Sequence, residues 1–116
     1  MDSKVIQAAR TAYEVNRAYL EGLEGLCLPT WGQLTNAEMD SYIAGVQFLC
    51  EHPETTPELQ HLSWVAYKKS EGWVYGPVKD QEAKTHPNLV SVEALPKSEK
   101  AKDILFQTVV RGILGI

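Results

Sequence analysis

The sequence predicts a mainly helical α+β fold of about four helices with a small two-stranded antiparallel β element. Two observations lead there: apolar residues recur at helical spacing in segments bounded by capping and stop residues, and one short β-prone run, Trp73 to Val78, interrupts them. A third is size, because 116 residues lies near the commonest length for one domain. At that length roughly two thirds of the unfolded surface can be buried on folding. A single domain over residues 1–116 is therefore expected, with no internal duplication.

Taken in chain order, Val5, Ala8, Ala9, Ala12, Val15 and Tyr19 mark a first helix ending near Glu21 and Gly22. Asn16 falls on this apolar stripe, where a polar side chain needs either a structural hydrogen bond to a neighbouring segment or a ligand. Gly22 to Leu34 lacks a period and reads as an irregular connection, with Trp31 filling the core. Thr35 and Glu38 have capping-box spacing, and Met39, Tyr42, Ile43, Val46, Leu49 and Cys50 then form a helical stripe that ends before Pro53.

Thr56 followed by Pro57 opens a third helix, running to about Glu71 with Gly72 as its stop. Leu59, Leu62, Val65 and Ala66 define its apolar side, and Trp64 projects nearly opposite them with Lys68 one turn beyond. An aromatic on the polar side beside a base is explained either by another segment packing over it or by a binding surface. For binding, an indole stacks a flat ring and an ammonium pairs with phosphate.

Trp73 to Val78 reads as half of a small hairpin turning at Gly76 and Pro77, with Leu89, Val90 and Val92 as the partner strand. Lys79 to Pro87 between them is polar and reads as an exposed loop or a single helical turn. The last helix starts near Lys97 or Ser98, with Ala101, Ile104, Leu105, Thr108 and Gly112 on one side. Val109, Val110, Ile113, Leu114 and Ile116 cover more than one face, so this tail is expected in the core or, preferably, in a subunit interface.

Acidic residues outnumber basic ones by 15 to 11, which leaves no overall footprint for duplex nucleic acid or an anionic membrane. No run approaches the length that spans a bilayer, and Met1 to Arg10 has no secretory pattern, so a cytoplasmic location is expected. Cys27 and Cys50 are read as reduced, inert thiols; with His52, His61 and His86 they make no metal-ligand spacing, and neither a metal nor a cofactor is expected. No nucleophile elbow, phosphate-cradling glycine loop or acid–base carboxylate pair is visible, so no catalytic residue is assigned and an enzyme is not expected.

Trp64, the run Gly72-Trp73-Val74-Tyr75-Gly76-Pro77-Val78-Lys79-Asp80, then His86-Pro87-Asn88-Leu89-Val90 and Leu95-Pro96 resemble the ryanodine-receptor repeat domain. Asn16-Arg17-Ala18-Tyr19 is similar to the leading helix of stand-alone bacterial and bacteriophage members. The resemblance, with its core motif at 64–96, implies binding of an adenine nucleotide by tryptophan stacking. Trp64 matches the stacking position, and Lys68 and Lys79 match basic positions suited to phosphate. Both are lysine where arginine is usual in the receptors, and Asn88 stands where cysteine is common. Lysine keeps the charge and loses the bidentate fork.

The ligand-binding set implied is Trp64, Lys68, Trp73, Tyr75, Lys79, Asp80, His86, Asn16 and Arg17. Within it, Trp73 and Tyr75 are of types that more often serve the hairpin than a ligand, and Asp80 and His86 can contact ligand or brace the loop. One repeat supplies one stacking tryptophan, so a homodimer or higher homo-oligomer is expected to rebuild the sandwich. The resulting expectation is a non-catalytic binder of an adenine nucleotide or an NAD-derived small molecule of ADP-ribose type. In a bacteriophage such a protein would sequester a defence signal in the host cytoplasm. The alternative is a protein-interaction module using Trp64 and the C-terminal helix.

Overall fold

The computed structural model describes residues 3–116. Its elements run α1 (Ser3–Glu24), a short 3-10 turn at Trp31–Gln33, α2 (Asn36–Glu51), α3 (Pro57–Ser70), β1 (Val74–Tyr75), β2 (Thr85–His86), a second 3-10 turn at Val92–Ala94, and α4 (Lys97–Leu114). They form two compact units, one of residues 1–55 with 104–116 and the other of residues 56–103. Among the described residues no helix is long and apolar enough to cross a membrane.

The first unit is built on small residues. Ala8, Ala9 and Ala12 of α1 are fully buried, as are Val46 and Leu49 of α2 and Val110 of α4. Alanine on α1 removes bulk at the contact, so the larger side chains of α2 fill the space between the helices. Val5, Ile43 and Phe106 complete this core, with Trp31, Tyr42, Val109, Ile113 and Leu114 packed against it. Trp31 sits where the sequence placed it, its ring 6.1 Å from Tyr13 and 6.3 Å from Tyr42. The helix α2 begins with the expected capping box: Glu38 N–H donates to Thr35 Oγ1, and Thr35 N–H donates to Glu38 Oε1.

Three boundary and facing expectations change. The helix α1 continues to Glu24 and stops at Gly25, because Gly22 is a tolerable helical residue and the left-handed turn comes three residues later. Cys50 is exposed and leaves the α2 stripe. In α4 the inward residues are Phe106, Gln107 and Val110, whereas Ile104 is 55% exposed and Thr108 and Gly112 also face solvent. Much of the apolar tail therefore belongs to the core.

The second unit turns α3 the other way from the sequence expectation. Its buried side carries His61, with Trp64 and Lys68 half-buried along the same side, while Leu59 and Leu62 are 55% and 49% exposed and Ala66 is exposed. The reason is directional bonding. His61 Nε2–H donates to the Val90 carbonyl at 2.8 Å, and the Trp64 indole lies between the His61 and His86 rings, at 5.8 Å and 5.0 Å. Two leucines offer only non-directional burial, and these contacts outweigh it.

The β element is parallel, not antiparallel, and its partner strand is Thr85–His86 in place of Leu89 to Val92. Val74 pairs with Thr85 and Tyr75 with His86. Parallel neighbours usually need a crossover of a dozen or more residues. Here residues 76–84 suffice because the chain doubles back first: Asp80 and Thr85 exchange both backbone hydrogen bonds at 3.0 Å as an antiparallel bridge. A hairpin turn is thus present, but within 80–85, and it delivers Thr85 and His86 alongside β1. Lys79 to Pro87 is accordingly an ordered turn and strand, with Lys84 in the left-handed region at φ 56°.

Candidate functional site

The helix α3 ends in a motif that builds one wall of the site. Gly72, at φ 90°, donates its N–H to the Lys69 carbonyl, and Trp73 N–H donates to the Lys68 carbonyl, both at 3.0 Å. This is the Schellman arrangement, in which the residue after the glycine is turned back onto the last turn of the helix. Trp73 is thereby buried, and the Lys68 ammonium lies 4.7 Å from its ring centroid, within cation–π range.

The strand β2 supplies the floor. Register places Tyr75 beside His86, and the His86 ring stands edge-on to Trp64 at 78° and 6.4 Å from Trp73. Asn88 N–H donates to His86 Nδ1 at 3.0 Å, so the neutral imidazole carries its proton on Nε2. Burial foremost, then the charges of Lys79, Lys68 and Lys102, lower the His86 pKa to about 4. The charges acting on this ring are all ammonium groups, one from α3, one from the loop after β1 and one from α4.

The remaining expected residues divide. Tyr75 is 59% exposed and open to a ligand. Asp80 braces the turn: its Oδ1 accepts from Glu82 N–H at 3.0 Å and Ala83 N–H at 3.2 Å. Asn16 and Arg17 belong to α1, in the first unit. Arg17 Nε bonds Glu14 Oε2 at 2.8 Å, and Glu14 Oε1 accepts the Trp31 N–H, an arrangement that holds the Glu14 pKa down. Asn16 Oδ1 is buried without a hydrogen-bond partner among the described residues, so the expected structural bond is not made through that oxygen.

Three residues at this site were missed in the sequence. His61 lies on the side of α3 that spacing assigned to solvent. Lys102 reads as an ordinary helix charge; it pairs with Glu99 at 2.6 Å, and its own charge reaches His86. Asp103 has its pKa raised to about 6, first by burial, against the lowering effects of His61 and Lys102. The nearest sequence signal for the last two was their position one turn into a helix that opens after Pro96.

The two shifted groups oppose each other in pH dependence. His86 binds its proton more weakly folded (about 4) than unfolded (6.5), so its contribution to stability is lost as pH falls through that window. Asp103 binds its proton more tightly folded (about 6) than unfolded (3.8), so its contribution is lost as pH rises through that window. Asp103→Asn removes the second effect. Relative to this variant, wild-type stability is expected to increase as pH falls from 6 towards 3.8. The slope is at most about 1.4 kcal/mol per pH unit and is reduced by solvent screening at a part-buried site. Paired urea titrations across that range measure it, and a pH-independent difference would refute the assignment.

Among the described residues, no three His, Cys, Asp or Glu side chains are close enough together to hold a metal ion. The site instead offers aromatic faces, one imidazole N–H and several ammonium groups, a chemistry suited to a flat ring bearing anionic groups. Compared with known families, the chain matches the family model described as RyR domain over residues 28–114.

Proposed function

From the premise that this chain belongs to the RyR domain family, we propose that its second unit binds an adenine-containing nucleotide without turning it over. The observation that carries this reading is the half-buried Trp64 indole set against His86, with the charges of Lys68, Lys79 and Lys102 acting on that imidazole. The indole stacks the base, the ammonium groups neutralise phosphate, and Tyr75 and Trp73 flank the floor. The ligand is an NAD-derived, ADP-ribose type molecule. A homodimer brings a second Trp64 to the other face of the base.

Binding without turnover makes the protein a sequestering agent for such a signal in the cytoplasm of a bacteriophage-infected host. Native mass spectrometry with ATP, ADP-ribose, cyclic ADP-ribose isomers and cyclic dinucleotides tests this reading. A dimer carrying one of these intact is the expected result, and recovery of cleaved nucleotide would replace binder with enzyme. Equilibrium dialysis tests sequestration: free ligand falls in proportion to protein added.

A second reading, a protein-interaction module, is favoured by the exposed row Leu59, Leu62 and Ala66 on the outer side of α3. It predicts a monomer that retains no nucleotide.

A further inference from the structure

Lys84 stands outside the set of residues assigned to the ligand, yet its backbone is unusual. Among the described residues it is the one non-glycine residue in the left-handed region, at φ 56°. A side chain crowds the backbone there, so glycine or asparagine is the usual occupant and a lysine calls for compensating contacts. Two are present. The Lys84 ammonium donates to the Glu71 carbonyl at 2.7 Å, and the Lys84 carbonyl accepts the Val74 N–H at 2.9 Å.

One residue thus grips the chain on both sides of Trp73. Glu71 caps the C-terminus of α3, where carbonyls lack helical N–H partners and the helix dipole favours a cation. The lysine stem crosses the glycine that stops the helix: a Cβ on Gly72 would lie 3.8 Å from Lys84 Cδ and 3.9 Å from Nζ. From Lys84 the chain enters β2, whose far rung, from Gly76 N–H to the His86 carbonyl, is longer at 3.3 Å. Resting on the nucleotide-binding reading, we propose that Lys84 is a positioning residue of the site. It clasps the strand carrying His86 to the end of α3 that Trp73 follows, and so holds the His86 ring 5.0 Å from Trp64 and 6.4 Å from Trp73. Lys84 acts on the ligand through these three rings.

Three variants test the clasp. Lys84→Met keeps an unbranched stem and removes the donor, Lys84→Arg retains a cationic donor, and Lys84→Gly removes the donor while relieving the left-handed backbone. Ring-current shifts of the His86 protons, measured by NMR on the ligand-free protein, report the geometry, with the Trp31 indole N–H in the first unit as internal control. In Lys84→Met and Lys84→Gly the His86 protons are expected to move towards the positions of an unstructured histidine, and in Lys84→Arg to stay near wild type. Calorimetric affinity for ADP-ribose is expected to fall about tenfold in the first two and to recover in the third. Urea midpoints separate position from stability: Lys84→Gly is expected to unfold at higher urea than Lys84→Met and to bind no better.

Unchanged His86 resonances in Lys84→Met would overturn the clasp. Moved resonances with unchanged ADP-ribose affinity would overturn its role in positioning the ligand site, as would affinities that simply follow the urea midpoints through the series. A wild-type protein that binds no ADP-ribose, with His86 displaced in Lys84→Met and restored in Lys84→Arg, would uphold the clasp and remove the nucleotide reading.

Discussion

Trp64→Ala is expected to lose both nucleotide affinity and folding stability, because its indole has two employments. As a stacking face it is worth about 1 to 3 kcal/mol per base, more when a second subunit contributes the opposite face. As part of the second unit it fills the space between His61 and His86, and it is half-buried. Truncating a fully buried tryptophan costs about 3 to 5 kcal/mol, so a half-buried one is expected to cost about 2 kcal/mol. The sequence placed Trp64 opposite the apolar side of its helix and left open whether another segment packs over it.

The two effects separate with Trp64→Phe, which retains a ring against both imidazoles. Its urea midpoint is expected to return most of the way to wild type, while affinity recovers only in part because a phenyl face is smaller than an indole. Unchanged stability in Trp64→Ala would mean that the indole contributes no packing between the histidines. Unchanged affinity would remove it from the ligand site.

Gly76→Ala is expected to destabilise the second unit by about 3 kcal/mol, although it adds a single methyl group. A Cβ at this position would lie 2.6 Å from Thr85 Cβ and 3.0 Å from Thr85 Cγ2, closer than carbon atoms approach. The obstacle is not flexible. Thr85 is held by two backbone bonds to Asp80, and its Oγ1 donates to the Val78 carbonyl at 2.9 Å. Moving it apart strains the strand that carries His86, so nucleotide affinity is expected to fall as well.

A double-mutant cycle tests the cause. In a Thr85→Gly background the clash partner is gone, and Gly76→Ala is expected to cost less than 1 kcal/mol. An equal cost in both backgrounds would place the effect in the conformation of Gly76 itself.

Much of the local structure was legible because its causes are local. Thr35 with Glu38, and Thr56 with Pro57, satisfy helix-terminal N–H groups from within four residues, so α2 and α3 start where the spacing places them. Gly72 stops α3 by a φ that disfavours other residues, and that stop brings Trp73 back beside Lys68. The run from Trp64 to Pro96 also contained Trp64, Trp73 and Asn88, which contact His86, because a short motif folding on itself keeps its members in one unit.

What needed the tertiary structure was direction. Helical spacing arranges the faces of α3 but does not say which face turns inward, and His61 decided it by bonding to Val90, 29 positions away. Strand propensity identified β1 but not the sense of its partner, because Gly76 and Pro77 turn the chain without closing a hairpin, and the bridge between Asp80 and Thr85 sets the parallel register. Lys102 and Asp103 looked like ordinary helix charges until folding brought them into the electrostatic reach of His86 and His61. Sequence by itself determined which residues could take part and where the helices begin. Long-range hydrogen bonds and close approach, energies that exist only once distant segments meet, decided which way those residues face and which charges they feel.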